Sequence, residues 1–298
     1  MPHRMLLDTS SLMYRAFFSV PASIRNSNGM PVNAVHGYLN FTARLIRDHR
    51  PDEVVHAFDD DWRPAPRVEA YGGYKAARPP DPEGLPEQFT LLRELLGAAG
   101  MTRIEAPAWE AEDAIGTLCR RGHRGDRFDI VTGDRDLLQL VRDLTVRVLM
   151  TRRGVTDLEA FDEAAVLERF GVPARRYADF ATLRGDPSDG LPGVRGVGAK
   201  TARALVDAYP SLRALAADAR RARPNGELLR KSRSLAPAIR EAAGYLESMR
   251  RVVPIRTDLD LNIERGDAEP DRLDALAERH NLQGPARRLR DAFTGIGT

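Results

Sequence analysis

The N-terminal half of the chain alternates short apolar runs with segments of helical period. Met5-Leu6-Leu7 runs into Asp8, Val54 to Phe58 into Asp59, and Ile130 to Gly133 into Asp134. Such runs, bounded by turns, read as buried parallel strands. Strands are predicted to end at Asp8 and to cover about 53–58, 128–133 and 145–150. Val35, Leu39, Phe41, Leu45 and Ile46 recur at helical spacing and predict a helix over 33–49. Further helices are expected at 9–18, from near Pro86 to 99, at 109–121 and, as a short turn, from Asp136 to Val141, with a turn later at Arg153-Gly154. Residues 60–86 carry six prolines and no period, as a functional or disordered insertion would. Beyond about residue 160 strand signals fade. Helices are expected at 162–170, 174–184, 199–208, 211–219, 234–248 and 270–294, with a mobile Pro- and Arg-rich connection at 220–233. The pattern is an α/β domain followed by an α-helical one.

Three strand tips that finish on carboxylates change this from a fold into a site. Ligands of open α/β sheets sit at the carboxyl ends of the strands. Like charges gathered there cannot stay ionised and unpaired, and hard divalent cations bound through oxygen relieve them. Asp136 follows Asp134 closely. Glu110, Glu112 and Asp113 open a helix, and Asp186 and Asp189 lie in Gly-Asp-Pro-Ser-Asp-Gly. Taken singly, these acids also suit helix starts, caps and turns. Asp8 and Asp59 fit a strand poorly without a purpose. Together the nine acids Asp8, Asp59, Glu110, Glu112, Asp113, Asp134, Asp136, Asp186 and Asp189 can serve a pair of ions. Two divalent ions about 4 Å apart clamp the attacking and leaving oxygens of a phosphodiester displacement. No His or Cys cluster competes for zinc.

Charge adds a partner. The net charge of the 298 residues is only +2, but residues 219–256 hold nine Arg and one Lys against three Glu. A basic stripe beside an acidic pocket suits a polyanion, although an Arg-rich solvated helix face would look the same. Only three of the 45 basic residues are lysines. Lys75, between Tyr74 and Arg78, has a compact ammonium able to approach a scissile phosphate. Tyr71 and Tyr74 beside it suit stacking on bases. Lys200 follows a glycine-spaced turn, Gly193 to Gly198, whose free N–H groups would bind phosphate at a helix start. Cys119 is the single cysteine, which fits a reducing compartment. No apolar segment has the length of a leader or a membrane span. The reading is a soluble, cytoplasmic protein with no membrane partner.

These residues resemble the 5′-nuclease family, the flap endonucleases and the 5′-3′ exonuclease domain of bacterial DNA polymerase I. The resemblance rests on Leu7 to Phe17, Ala57-Phe58-Asp59, Tyr74 to Arg78, Glu110 to Asp113, Thr132 to Asp136 and Gly185 to Thr201, in family order across roughly residues 5–205. It implies a PIN-like α/β domain with a largely parallel sheet (1–165, with an arch or gateway at 60–90). An α-helical DNA-binding domain (166–298) would follow, with a helix-three-turn-helix motif at about 183–208. It implies two Mg²⁺ or Mn²⁺ ions, with Asp8, Asp59, Glu110 and Glu112 mainly at the first and Asp134, Asp136 and Asp189 at the second. Asp113 and Asp186 match further acidic positions. Lys75 and Arg78 match the catalytic basic residues. Arg15, Tyr74, Gly193, Gly196, Gly198, Lys200 and Thr201 fall where DNA is bound, with a K⁺ at the turn. Glu112 stands where bacterial relatives commonly have Asp, Gly190 where they have Asn, and Pro66-Arg67 or Trp62-Arg63 where they have Phe-Arg.

The implied enzyme is a monomeric 5′-3′ exonuclease and 5′-flap endonuclease. It would act on DNA flaps, nicks, 5′ ends and RNA–DNA primer junctions in replication or repair. Its chain, stopping where a polymerase would begin, reads as a stand-alone form. A PIN-type ribonuclease would share the acids without needing the Tyr-Lys-Ala-Ala-Arg segment or the glycine turn. A non-catalytic branched-DNA binder would not need the acids.

Overall fold

A computed structural model describes residues 2–152 and 154–294. The elements run β1 (His3–Asp8), α1 (Thr9–Ser19), α2 (Asn33–His49), β2 (Glu53–Ala57), α3 (Ala65–Ala70), α4 (Leu85–Ala98), β3 (Thr102–Glu105), α5 (Ala111–Arg121), β4 (Arg127–Thr132), β5 (Val146–Thr151) and β6 (Leu158–Phe161). Then follow α6 (Glu163–Phe170), α7 (Tyr177–Arg184), α8 (Ala199–Ala208), α9 (Leu212–Ala219), α10 (Glu227–Lys231), α11 (Leu235–Glu241), α12 (Ala243–Val252), β7 (Asn262–Glu264), α13 (Pro270–Arg279) and α14 (Gln283–Phe293). Arg153 of the expected turn, and residues 295–298 of the expected second domain, lie outside the described residues.

The sheet order is β6-β5-β4-β1-β2-β3-β7, parallel except for its two edge strands. Both of its faces are covered. Along β1, Leu6 joins one core and Met5 and Leu7 the other, as strand alternation requires. The first core lies under α5 and the helical region, the second under α1, α2, α4, α13 and α14. The chain passes from β1 to β2 and β3 on one side, then returns to lay β4 on the other side of β1. That reversal makes β1 and β4 the topological switch point, where the crevice of an open sheet forms.

The mixed α/β fold with a mostly parallel sheet and a following helical region agrees with expectation. Four details differ. The aperiodic 60–86 segment contains α3, a helix too short to show a period, with Pro64 just before it and Pro66 in its first turn. The connection at 220–233 is pinned rather than loose: Asp218 accepts from Asn225 N (2.8 Å), Gly226 N (2.9 Å) and Tyr209 Oη (2.7 Å). The helix expected at 270–294 breaks at Asn281, which adopts φ 55°. Finally, 166–298 is not one separate helical unit. Beta strand β7 extends the sheet beside β3, and Leu273, Ala277, Leu282, Ala286 and Leu289 enter the core beneath α2 and α4. Strand β7 is exposed and three residues long, so no apolar alternation announced it.

Because α14 closes the core of the α/β body, Leu289→Ala is expected to destabilise that body by about 2–5 kcal/mol, the range for a truncated buried leucine. Urea unfolding followed by circular dichroism measures this. A change below about 0.5 kcal/mol would mean that α14 is a loose appendage.

Candidate metal centre

Asp8 ends β1 and caps α1. Its carboxylate accepts from Ser11 N (3.1 Å) and from Thr132 Oγ at the tip of β4 (2.6 Å). Thr132 Oγ in turn accepts from Asp134 N (2.8 Å), and Asp134 accepts from Asp136 N (2.9 Å). One threonine thus ties the two switch-point tips together. Asp59 stands two residues beyond β2. It accepts from Ser10 Oγ, and from Ala111 N (2.7 Å) at the start of α5.

Glu110 is the N-cap of α5, and a capping box with Asp113 fixes both side chains. Glu110, Glu112 and Asp113 can bring one oxygen each within 4.8 Å of one another. Their neutraliser is Arg67 of α3, which is fully buried. Its guanidinium pairs with Glu110, with Glu112 (3.1 Å) and with both oxygens of Asp113 (2.8 and 2.9 Å). Glu110 also accepts from Lys75 Nζ and from Tyr74 Oη (2.6 Å).

Residues 73–78 close the far side. Lys75 N donates to the Asp189 carbonyl (2.9 Å), and Arg78 donates to the Asp189 carboxylate (2.7 Å). Lys75 holds φ 50°, a conformation that costs a non-glycine residue energy and collects at functional sites. Gly190 has φ 71°, and a Cβ there would meet the Gly73 carbonyl at 2.5 Å. Glycine at this position therefore lets the 73–75 segment dock against it. Asp186 accepts from Ser188 N (2.9 Å) and faces Arg184 at 3.7 Å.

These groups surround one open cleft of about 1210 Å³, onto which Asp8, Asp59, Glu110, Glu112, Asp134 and Asp186 open together with Lys75 and Arg78. The crowding shows in proton affinity. Burial pushes Asp8 up to about 7, helped by Asp59 and Asp134 against the Thr132 hydrogen bond. Burial pushes Glu112 up to about 8 against the pull of Arg67. Asp134 is raised by burial, and Asp136 by burial and then by Asp134 and Glu112.

Residues 3–171 match the model of the 5′-3′ exonuclease N-terminal resolvase-like domain, and residues 172–275 that of the 5′-3′ exonuclease C-terminal SAM fold. The chain belongs to the 5′-3′ exonuclease family. It is 42% identical, over 97% of its length and 100% of the relative's, to a 5′-3′ exonuclease of Streptomyces coelicolor. A 5′-3′ exonuclease of Mycobacterium tuberculosis is 39% identical over 97% of this chain and 96% of its own. The DNA polymerase I of Mycobacterium bovis is 45% identical over 72% of this chain, which spans 24% of that polymerase. Among solved structures, the T5 D15 protein co-crystallised with metal ions superposes with a TM-score of 0.66 at 16% identity, covering 99% of both chains. The catalytic core of Rad2 in complex with DNA substrate reaches 0.60 at 19% identity, covering 98% of this chain and 92% of that one. At these identities the likeness is one of fold. Family membership makes the chain a 5′-3′ exonuclease, and the hard oxygen donors of its cleft fit divalent ions.

Two expected site residues have partners inside the fold. Tyr74 is 2% exposed, with its hydroxyl committed to Glu110, so its ring is not open to a base. Asp113 is fully buried and accepts from Arg67, Glu110 N and Arg256 N (2.8 Å), which makes it the brace of Arg67. Arg15 lines the cleft but spends its guanidinium on the Thr151 (3.1 Å) and Arg152 (3.3 Å) carbonyls. Gly196 and Gly198 are exposed on the turn before α8, Lys200 is exposed and Thr201 partly so in its first turn, while Gly193 N donates to Tyr245 Oη (3.2 Å). Ser10 and Thr132 carry no mark of a site role in the sequence, and Arg67 stands out there only as one of two arginines, with Arg63, in the place of the family's Phe-Arg pair. An Arg in a proline-rich segment carries no sign that it will be buried among acids.

Arg67→Met is expected to destabilise the chain by about 3–5 kcal/mol, because it strands buried carboxylates. Denaturation in chelator measures it, and an unchanged midpoint would refute the neutralising role. Proton linkage adds a second expectation. A carboxyl raised in the fold stabilises below its unfolded value near 4 and loses that stability as pH rises through its folded value. Fully buried His56 is lowered to about 3 by burial, so it acts oppositely, but only below about 6.5. Chelated protein should therefore lose stability between about pH 6.5 and 8.5, through the Asp8 and Glu112 values, and Mg²⁺ at pH 8.5 should restore it. A flat profile in chelator would contradict this.

Proposed function

We propose that this nuclease acts on DNA, removing nucleotides from 5′ ends and cutting 5′ flaps endonucleolytically, with nicks and RNA–DNA primer junctions among its substrates. It works as a monomer with two Mg²⁺ or Mn²⁺ ions. The observation that carries this reading is the open cleft onto which six of the nine predicted acids, Asp8, Asp59, Glu110, Glu112, Asp134 and Asp186, open with Lys75 and Arg78. The DNA structures solved for Rad2 and, in a pseudo-enzyme–product complex, for the T5 D15 flap endonuclease support it.

Asp8, Asp59, Glu110 and Glu112 would hold the first ion, and Asp134, Asp136 and Asp189, with Asp186, the second. When bound, the ions supply Lewis acidity and activation of water. Asp113 keeps Arg67 in place, and Arg67 keeps Glu110 and Glu112 aimed at the cleft. The Lys75 ammonium, held at the cleft by Glu110, offers positive charge where the transition state gains negative charge. Arg78, tied to Asp189, adds a second cation that orients the strand. Helix α8 begins at Gly198 with no side-chain cap, so its first N–H groups are left for duplex phosphates beside Lys200 and Thr201. The turn carbonyls at 193–198 offer oxygen ligands for K⁺. Exposed Arg220, Arg221, Arg223, Arg230 and Arg233 extend the basic surface, which would read phosphates rather than sequence.

The test is a 5′-flap duplex with and without Mg²⁺. Wild type should cut near the junction only with the ion. Asp134→Ala should lose about 100-fold or more in rate. Lys75→Ala should lose about 100- to 1,000-fold in kcat with binding nearly kept. Equal cutting of unstructured RNA, or full activity in Asp134→Ala, would overturn the proposal.

A further inference from the structure

The loop between β2 and α3 presents an indole to the cleft for which the folded chain has no use. Its neighbours are held by hydrogen bonds to the rest of the fold. Asp60 N and Asp61 N both donate to the Trp109 carbonyl (3.2 Å each), and the Asp60 carboxylate accepts from Ala108 N (2.6 Å). Asp61 accepts from Arg63 N (2.9 Å), and the Arg63 guanidinium donates to the Tyr74 (2.7 Å) and Gly72 (2.9 Å) carbonyls. Between them Trp62 is 48% exposed and lines the cleft with the carboxylates. Phe18, at the end of α1, lines the same cleft and is 74% exposed. A loop pinned in this way holds a large aromatic ring in water and forgoes its burial, and exposed apolar rings grouped on one cleft mark a binding surface.

The chemistry of the surroundings narrows the ligand. Asp59, Asp60 and Asp61 precede the ring in the chain and the Arg63 guanidinium is committed to carbonyls, so this loop offers no free cation to a bare phosphate. A nucleobase is uncharged, flat and apolar on its faces, and an indole takes it by stacking. We infer that Trp62, with Phe18 as a second surface, is a stacking platform for an unpaired nucleobase of the strand entering the cleft. It positions the nucleotide next to the scissile phosphate and so affects substrate binding and the point of cutting rather than the chemical step. This rests on the nucleic-acid reading of the cleft given above.

The test uses the full chain and two readouts. Trp62 and Trp109 are its only tryptophans, so quenching seen in wild type and lost in Trp62→Phe belongs to Trp62. A single-stranded oligonucleotide in chelator should quench it, and the same strand with abasic sites should not. In steady-state cleavage of a 5′ flap, Trp62→Ala should raise KM about 10-fold, within the range for loss of one stacked base. It should leave kcat within about twofold, and Trp62→Tyr should recover most of the loss. On the abasic flap, wild type and Trp62→Ala should be alike.

Equal quenching by normal and abasic strands, a loss in Trp62→Ala that persists on the abasic flap, or an unchanged KM would each overturn the platform. A wild-type chain that cuts no flap would instead refute the proposed function. The quenching experiment would still decide the platform.

Discussion

Everything in this molecule answers to the repulsion among carboxylates gathered at the switch point of the sheet. Asp8 and Asp134 stand at neighbouring strand tips joined by Thr132, and Asp59 and the start of α5 bring the next acids against them. In a partly enclosed cleft such charges raise one another's proton affinity. The chain offsets this in two ways at once. Arg67 and Lys75 neutralise the Glu110 side. On the Asp8 and Asp136 side, no cation is paired with either carboxylate among the described residues, and the carboxyls themselves hold protons more tightly. A resident pair of divalent ions would do the same work with charges that also act on phosphate.

The same pressure explains why the irregular segment is built as it is. Helix α3 is only six residues long, yet it delivers the fully buried guanidinium that makes the acidic helix start tolerable. The following residues run directly across to 186–190, where Lys75, Gly190 and Asp189 meet backbone to backbone. The left-handed Lys75 is the local strain of that crossing. The segment therefore binds the α/β body to the helical region between α7 and α8 through polar contacts centred on the site. Tyr71 packs edge-on against Tyr245, whose hydroxyl accepts from Gly193 N and donates to the Thr182 carbonyl (3.0 Å). The cleft and the glycine turn thus share one framework.

How far this was legible from the chain can be argued residue by residue. The β1, β2 and β4 runs were readable because buried parallel strands are continuous apolar stretches, and Asp8, Asp59 and Asp134 followed from their position at the ends. Helix α8 began where the glycine turn ended, as read. Tyr74 is ambiguous in the sequence, because an aromatic beside Lys and Arg looks the same whether its ring faces a base or the core. Only the hydroxyl's bond to Glu110 decides. Asp113 reads in the sequence as a ligand, and in the fold it both braces Arg67 and can bring an oxygen within 4.8 Å of Glu110 and Glu112. Strand β7 and the return of α13 and α14 to the α/β body were illegible, since their pairing is with residues more than 150 positions away.

By itself the sequence determined the α/β-then-helical order, the strand tips that carry acid and the chemistry of the cleft, because local periodicity and residue type are properties of neighbours in the chain. Tertiary structure alone decided which cation neutralises which acid, which aromatic is buried and which is shown to the cleft, and where the second half of the chain folds back. Those outcomes depend on burial and on contacts across long sequence separations, and no local pattern encodes them.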